Sequence, residues 1–273
     1  MVRPGPLLCL VLALLLPGPA LAFTLGVLPI HGARVLVERY EPLRAYLERS
    51  LKQPVRIESA PDFARFQQRT LRGEFDLAVT PAHFARIAQK DLGFQPLIHL
   101  LPDHDALLVF SADQPLAALA ELKGRQIAVV DRLAVTVMAA LQYLEEQGLE
   151  SGRDYAVAEH RTHASVAHAL AGGLSAVGVT TSQGMQQIPQ ELRQRLVVQK
   201  HIANIPAFVF LVGPDLAKAR VEVLRALLLD FAKSPEGAAF MKQTGYNALR
   251  PVTEAFMKRA DPYLKETRRT LAP

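Results

Sequence analysis

The feature that most constrains this chain is an alternation that occurs twice. Short apolar runs of strand length are each followed by a segment whose apolar residues recur at helical spacing. In the first series the runs are Phe23–Pro29, Val55–Ile57 and Phe75–Val79, and the helical segments are Arg34–Leu51, Phe63–Arg72 and one opening at Thr80-Pro81-Ala82-His83. Pro42 inside the first helical segment is tolerable only at a kink or a new first turn. The second series centres on Glu121–Gly148, where the strand Gln126–Val130 feeds the helix Val135–Gln147 through a polar turn at Asp131. It continues with the strand Tyr155–Glu159, the helix Ser165–Ala171 and the strand Ala176–Val179. Such β-α series predict an α/β fold of two lobes, each a mainly parallel sheet flanked by helices. Gln95–Leu101 and Asp105–Ser111 are two further strand-like runs, and Val197–Ile202 and Phe208–Val212 are strands placed to carry the chain back to the first lobe. The expected organisation is lobe 1 from residues 23–107 plus 207–273 and lobe 2 from 108–206, with a two-stranded hinge crossing near 108 and again near 206. Residues 215–245 read as helices, with Ser234-Pro235 starting one, and Thr253–Thr270 reads as one terminal amphipathic helix.

The first residues carry a different pattern. Arg3, the apolar run Leu7–Leu16, the break at Pro17-Gly18-Pro19 and the small-x-small site Ala20-Leu21-Ala22 predict a signal peptide over 1–22, cleaved after Ala22. The run is too short for a good membrane span, and no later segment approaches one. The expected location is the periplasm. The one cysteine, Cys9, lies inside this run, so the mature chain is expected to lack disulfides, thiolate metal sites and cysteine nucleophiles. The formal charge of +5 is dispersed, which argues against a nucleic-acid footprint. Absence of Trp and an aromatic content of 7% argue against a sugar-stacking platform.

Candidate ligand-binding residues follow from the strand ends. In open α/β sheets, small ligands meet the first N–H groups of helices at the carboxyl edge of the strands. Thr80, His83, Asp131, Thr136, Thr180 and Thr181 occupy such turns, and His31 lies in the turn after the first strand. Asp131 has a second reading as a cap, because its carboxylate would repel an anion at the same helix start. Eight histidines invite a metal reading, but neither His99/His104 nor His160/His163/His168 has a spacing that makes a site, so none is assigned. No GxSxG, HExxH or Walker A pattern occurs; no catalytic residue, enzyme activity or cofactor is expected.

The order Gly26-Val-Leu-Pro29, Tyr40-Glu-Pro-Leu43, Leu71-Arg-Gly-Glu-Phe-Asp-Leu-Ala78, Leu122-Lys-Gly124, Val130-Asp131, Thr162-His163 and His168-Ala-Leu-Ala-Gly-Gly173 resembles the PhnD-like phosphate/phosphite/phosphonate-binding periplasmic proteins of ABC transporters, across about residues 24–250. The resemblance implies a type II periplasmic-binding-protein fold, closure of two lobes on a small ligand, and delivery to a membrane permease; the chain is expected to be a monomer. It implies a role for His163, which matches a family histidine, and for Thr136, the one hydroxyl that Ala134-Val135-Thr136 keeps of a Ser-Thr-Ser-type run. Ile30 or His31 stands where the family has an aromatic, Thr80 where it has a tyrosine, and Asn204-Ile-Pro-Ala207 where it has an acidic residue. The implied ligand is a phosphonate-like or other oxyanion. An alternative role is sensing, with the same module docked onto a membrane sensor kinase; a secreted hydrolase is a remote third.

Overall fold

The structure, a computed structural model, describes residues 22–272, so the expected signal peptide lies outside the described residues except for Ala22. In chain order, β1 (Phe23–Val27), α1 (Ala33–Leu51), β2 (Val55–Glu58), α2 (Phe63–Leu71), β3 (Leu77–Pro81), α3 (Ala82–Leu92) and β4 (Gln95–Leu101) start the first lobe. The second lobe holds β5 (His104–Ser111), β6 (Arg125–Val129), α4 (Val135–Glu146), β7 (Tyr155–Glu159), α5 (His163–Ala171), β8 (Val177–Thr180), α6 (Ser182–Met185), α7 (Gln190–Arg193) and β9 (Leu196–Ile205). The chain then returns through β10 (Phe208–Val212), α8 (Lys218–Phe231), α9 (Pro235–Thr244), β11 (Ala248–Pro251), α10 (Glu254–Lys258) and α11 (Leu264–Leu271).

The strands form two sheets, ordered β11-β4-β10-β3-β1-β2 and β7-β6-β8-β5-β9. Pairing is parallel within β2-β1-β3 and β7-β6-β8, as the β-α alternation requires. Both sheets are nevertheless mixed, because β10 and β5, the strands that follow the crossings, enter antiparallel to their neighbours. The crossing expected near 108 falls inside β5. The run 104–111 is one strand paired wholly within the second sheet, and the chain leaves the first sheet earlier, at Pro102-Asp103. The return is at Pro206-Ala207. At both places a proline, which has no N–H for a ladder, ends the strand pairing.

Helix α1 runs through Pro42 without interruption, its buried face formed by Leu36, Tyr40, Leu43 and Leu47. The terminal helix expected over Thr253–Thr270 is broken into α10, a 3₁₀ turn at Asp261–Tyr263 and α11. Pro262 lies in that turn, where a regular helix would need its N–H. β11 was not expected; its four residues pair only with β4 at the sheet edge, where Pro251 is tolerated.

Each lobe has its own apolar core, and the two are stitched together at α4. Leu133 and Met138, both from the second lobe, are buried within the first lobe's cluster. Tyr263 packs against both clusters.

Candidate ligand-binding cleft

Three features of the seam between lobes come from where strands end. β3 ends at Pro81, and α3 starts at Ala82 with Pro81 as its N-cap and no side chain satisfying its first N–H groups. β6 ends at Val129; a turn follows in which Asp131 Oδ1 accepts from the Leu133 N–H at 2.8 Å, and α4 starts at Val135 with Ala134 as its uncapped N-cap. Asp131 therefore caps the turn, not the helix. The two uncapped helix starts meet: His83, in the first turn of α3, donates from Nε2 to the Leu133 carbonyl at 2.9 Å. A carbonyl only accepts, so Nε2 carries the hydrogen and Nδ1 is a bare acceptor. That Nδ1 is buried without a partner, as is Thr80 Oγ1 two residues before α3. Burial holds the His83 ring neutral, pulling its pKa down to about 3.

Along the same seam lies a second group. His163, the first residue of α5, makes a 2.9 Å hydrogen bond from Nδ1 to Thr180 Oγ1 at the end of β8. Gly184 permits this pair, since a Cβ there would lie 2.7 Å from both the ring and the hydroxyl. From the first lobe, His31 lies near enough to His163 for charge on the His163 ring to disfavour protonation of His31. Desolvation lowers both to about 4. Arg39, on α1, donates from a guanidinium N–H to His31 Nε2 at 2.8 Å. At the lobe junction His104 Nε2 lies 3.0 Å from the Tyr246 hydroxyl, joining β5 to the segment before β11. On the opposite part of the seam Asp131 is pushed up to about 6, first by burial and then by the charges of Glu159 and Asp62.

The expected residues thus divide. Thr80, His83 and Thr136 are buried at the two uncapped helix starts, and Asp131 sits in the turn that leads to one of them. His31, His163 and Thr180 make the second group. Thr181 is taken up as the N-cap of α6, accepting from the Gly184 N–H at 2.7 Å, and Asp105 accepts from the Ser182 N–H at 2.9 Å. The start of α6 was expected to offer free N–H groups, but two of them are satisfied by these side chains, and four residues build little dipole. The start of α5 is likewise closed by Thr162 and Ser165. Among the described residues no group of three or more His, Cys, Asp or Glu is placed to hold a metal ion. Sequence reasoning missed Arg39, Leu133, His104 and Tyr246. Arg39 immediately precedes Tyr40, a buried position of α1, which is a signal that its stem starts at the edge of the helix's packed face.

The fold matches solved structures closely in shape and distantly in sequence. A Xanthomonas citri protein bound to chloride ion superposes with a TM-score of 0.78 at 20% identity, covering 91% of this chain and 98% of that one. A binding protein component of an ABC phosphonate transporter from Pseudomonas aeruginosa gives 0.78 at 15% identity, covering 93% and 89%. PhnD1 from Prochlorococcus marinus, in complex with methylphosphonate, gives 0.74 at 12% identity, covering 93% and 99%. Among the described residues no helix is long and apolar enough to cross a membrane. The family model for phosphonate periplasmic substrate-binding proteins of ABC transporters matches residues 25–255. Two α/β lobes meeting at a polar seam, together with that match over most of the sequence, establish that the chain belongs to this family of solute-binding transport components, which are not enzymes.

Proposed function

We propose that the protein captures a small anion at the seam between its lobes and, as a periplasmic monomer, hands it to the permease of an ABC transporter. The observation that carries this reading is the meeting of two uncapped helix starts, α3 from one lobe and α4 from the other, through the His83–Leu133 hydrogen bond. Each start presents unsatisfied N–H groups and the positive end of a helix dipole, and both favour negative charge. The buried and unpartnered Thr80 Oγ1 is a further group able to donate to an oxygen. Closure of the lobes around the ligand is the working step in this reading.

The test is a thermal-shift screen of phosphonates, phosphite, phosphate, sulfonates and small carboxylates, followed by calorimetry. A ligand at 100 times its Kd stabilises the fold by about 2.7 kcal/mol. At least one anion should raise Tm, and Thr136→Ala and His163→Ala should each weaken its binding. A screen in which no anion shifts Tm, while a cationic or neutral solute does, would sink the anion assignment.

A further inference from the structure

We propose that Arg39 makes the charged contact to the captured anion, with the ring of His31 as a neutral donor beside it. The inference rests on the seam being the binding site, as argued above, and it adds the residues that meet the ligand's charge.

Helix α1 carries four arginines at intervals of five residues, Arg34, Arg39, Arg44 and Arg49, and three of them are neutralised. Arg34 pairs with Glu38 at 3.8 Å, Arg44 with Glu41 and Glu48 at 2.7 Å each, and Arg49 with Glu236 at 2.7 Å. Arg39 is the exception. Among the described residues no carboxylate pairs with it, because its neighbours Glu38 and Glu41 already serve Arg34 and Arg44. Its hydrogen-bond partner is His31 Nε2, at 2.8 Å. Arg39 is also half-buried, so an unbalanced charge is held partly out of water, where it attracts an anion more strongly than at a fully solvated surface.

The backbone puts this charge at the edge where the strands of the first lobe end. His31 lies in the turn after β1, which runs parallel to β3 with Val27 in register with Val79. The Leu28 N–H donates to the Val79 carbonyl at 3.2 Å, so the turn that holds His31 leaves the sheet beside Thr80. Three residues on from Thr80, His83 reaches Leu133 of the other lobe. Its hydrogen bond to His31 therefore draws the Arg39 guanidinium to the edge at which the lobes meet. The same bond fixes the His31 ring. A guanidinium only donates, so His31 Nε2 accepts, the ring is neutral, and its hydrogen is on Nδ1. The remaining guanidinium N–H groups and this Nδ1–H are all donors, which suits the oxygens of an oxyanion or a carboxylate. His163 of the second lobe lies near enough to act on the His31 ring, in keeping with a place on the closing side.

Calorimetric titration of the full chain with methylphosphonate, phosphate, methanesulfonate and acetate tests the contact. Arg39→Gln should weaken whichever of these the wild type binds by about 10- to 100-fold, and Arg39→Lys, which keeps the charge, by less. His31→Ala removes the held ring and leaves the cation, so it should cost less than Arg39→Gln. Arg34→Gln, at the exposed start of α1, should change nothing. Each variant's own melting curve verifies that it folds. If Arg39→Gln binds like the wild type, the inference is overturned while the binding-protein reading stands. The same holds if His31→Ala costs as much as Arg39→Gln and the double variant costs no more than either, because the arginine then only positions the ring. If the wild type binds none of the four anions, both fall together.

Discussion

His83 and Leu133 lie on different lobes, yet the imidazole Nε2–H of one donates to the carbonyl of the other at 2.9 Å, and both residues are buried. The side chain of Leu133 is at the same time part of the first lobe's apolar core. The contact joins one polar and one apolar interaction at a single point, so it tests whether the seam controls closure. His83→Phe keeps the ring's bulk and leaves the Leu133 carbonyl unsatisfied. The loss should cost the closed form about 1–3 kcal/mol, lowering ligand affinity by the same factor as the closed fraction. Small-angle scattering should show a larger radius of gyration for the variant without ligand. An unchanged radius and affinity would mean that His83 does not hold the seam.

Acidity should weaken the fold. His31, His104 and His163 are depressed to about 4 and His83 to about 3, all chiefly by desolvation. Their unfolded pKa is about 6.5, so between that value and their folded values the unfolded chain binds more protons, and stability falls as pH drops. Asp131 acts in the opposite sense: raised to about 6, it binds its proton in the folded state first and favours that state between about pH 6 and 4. Four histidines outweigh one carboxyl. Tm measured in a pH series should decline steadily from about pH 6.5 to 4, and His83→Phe should flatten the slope.

Gly184→Ala places a methyl 2.7 Å from the His163 ring and the Thr180 hydroxyl. The pair must separate or the α6 turn must shift, at about 1–3 kcal/mol for such overpacking. Chemical denaturation should register the loss, and titration should show weaker ligand binding because the His163 ring is no longer oriented by Thr180.

Arg259 should prove a hinge residue. One guanidinium nitrogen lies 2.6 Å from Asp103 Oδ2, at the first crossing, and 2.6 Å from the Asn204 carbonyl, just before the second. Asn204 has a left-handed φ of 62°, a conformation that Asn tolerates better than most residues. Arg259→Met keeps an apolar stem while removing both bonds and the guanidinium that lies over the Phe256 ring. Because the arginine is partly exposed, the expected loss is about 1 kcal/mol, read from urea unfolding, and hydrogen exchange at 102–105 and 203–207 should accelerate. Exchange that stays at the wild-type rate would show the crossings to be held by other contacts.

The lobes were legible because their evidence is local. β1 to α3 and β6 to α5 each repeat a strand, a turn and a helix whose apolar spacing can be read directly. The resemblance added the order of the motifs, and the family match supports it. What escaped was set by distant partners. The run 104–111 reads as a strand in isolation, but its membership of the second sheet depends on pairing with β8 and β9. β11 consists of four residues with Arg250 and Pro251, which gain strand character only by lying against β4. At the candidate cleft, the positions of Thr80, His83, Asp131, Thr136 and His163 along the seam were reachable because each sits at or beside a strand end or helix start. Arg39 lies mid-helix, and Leu133 looks like a loop residue until the first lobe closes over it.

That placement of Leu133 has a kinetic consequence. Leu133 is 5% exposed and Met138 3%, both within the opposite lobe's core, so opening must return apolar surface to water. Uncovering a leucine costs about 1.5–3 kcal/mol, enough to make the open form a minor species. A solute arriving at such a protein meets a shut door most of the time, and its association rate scales with the small open fraction. Recruitment, not residence, then becomes the slow half of the cycle, and a membrane partner that wedges the lobes apart would accelerate loading as much as unloading.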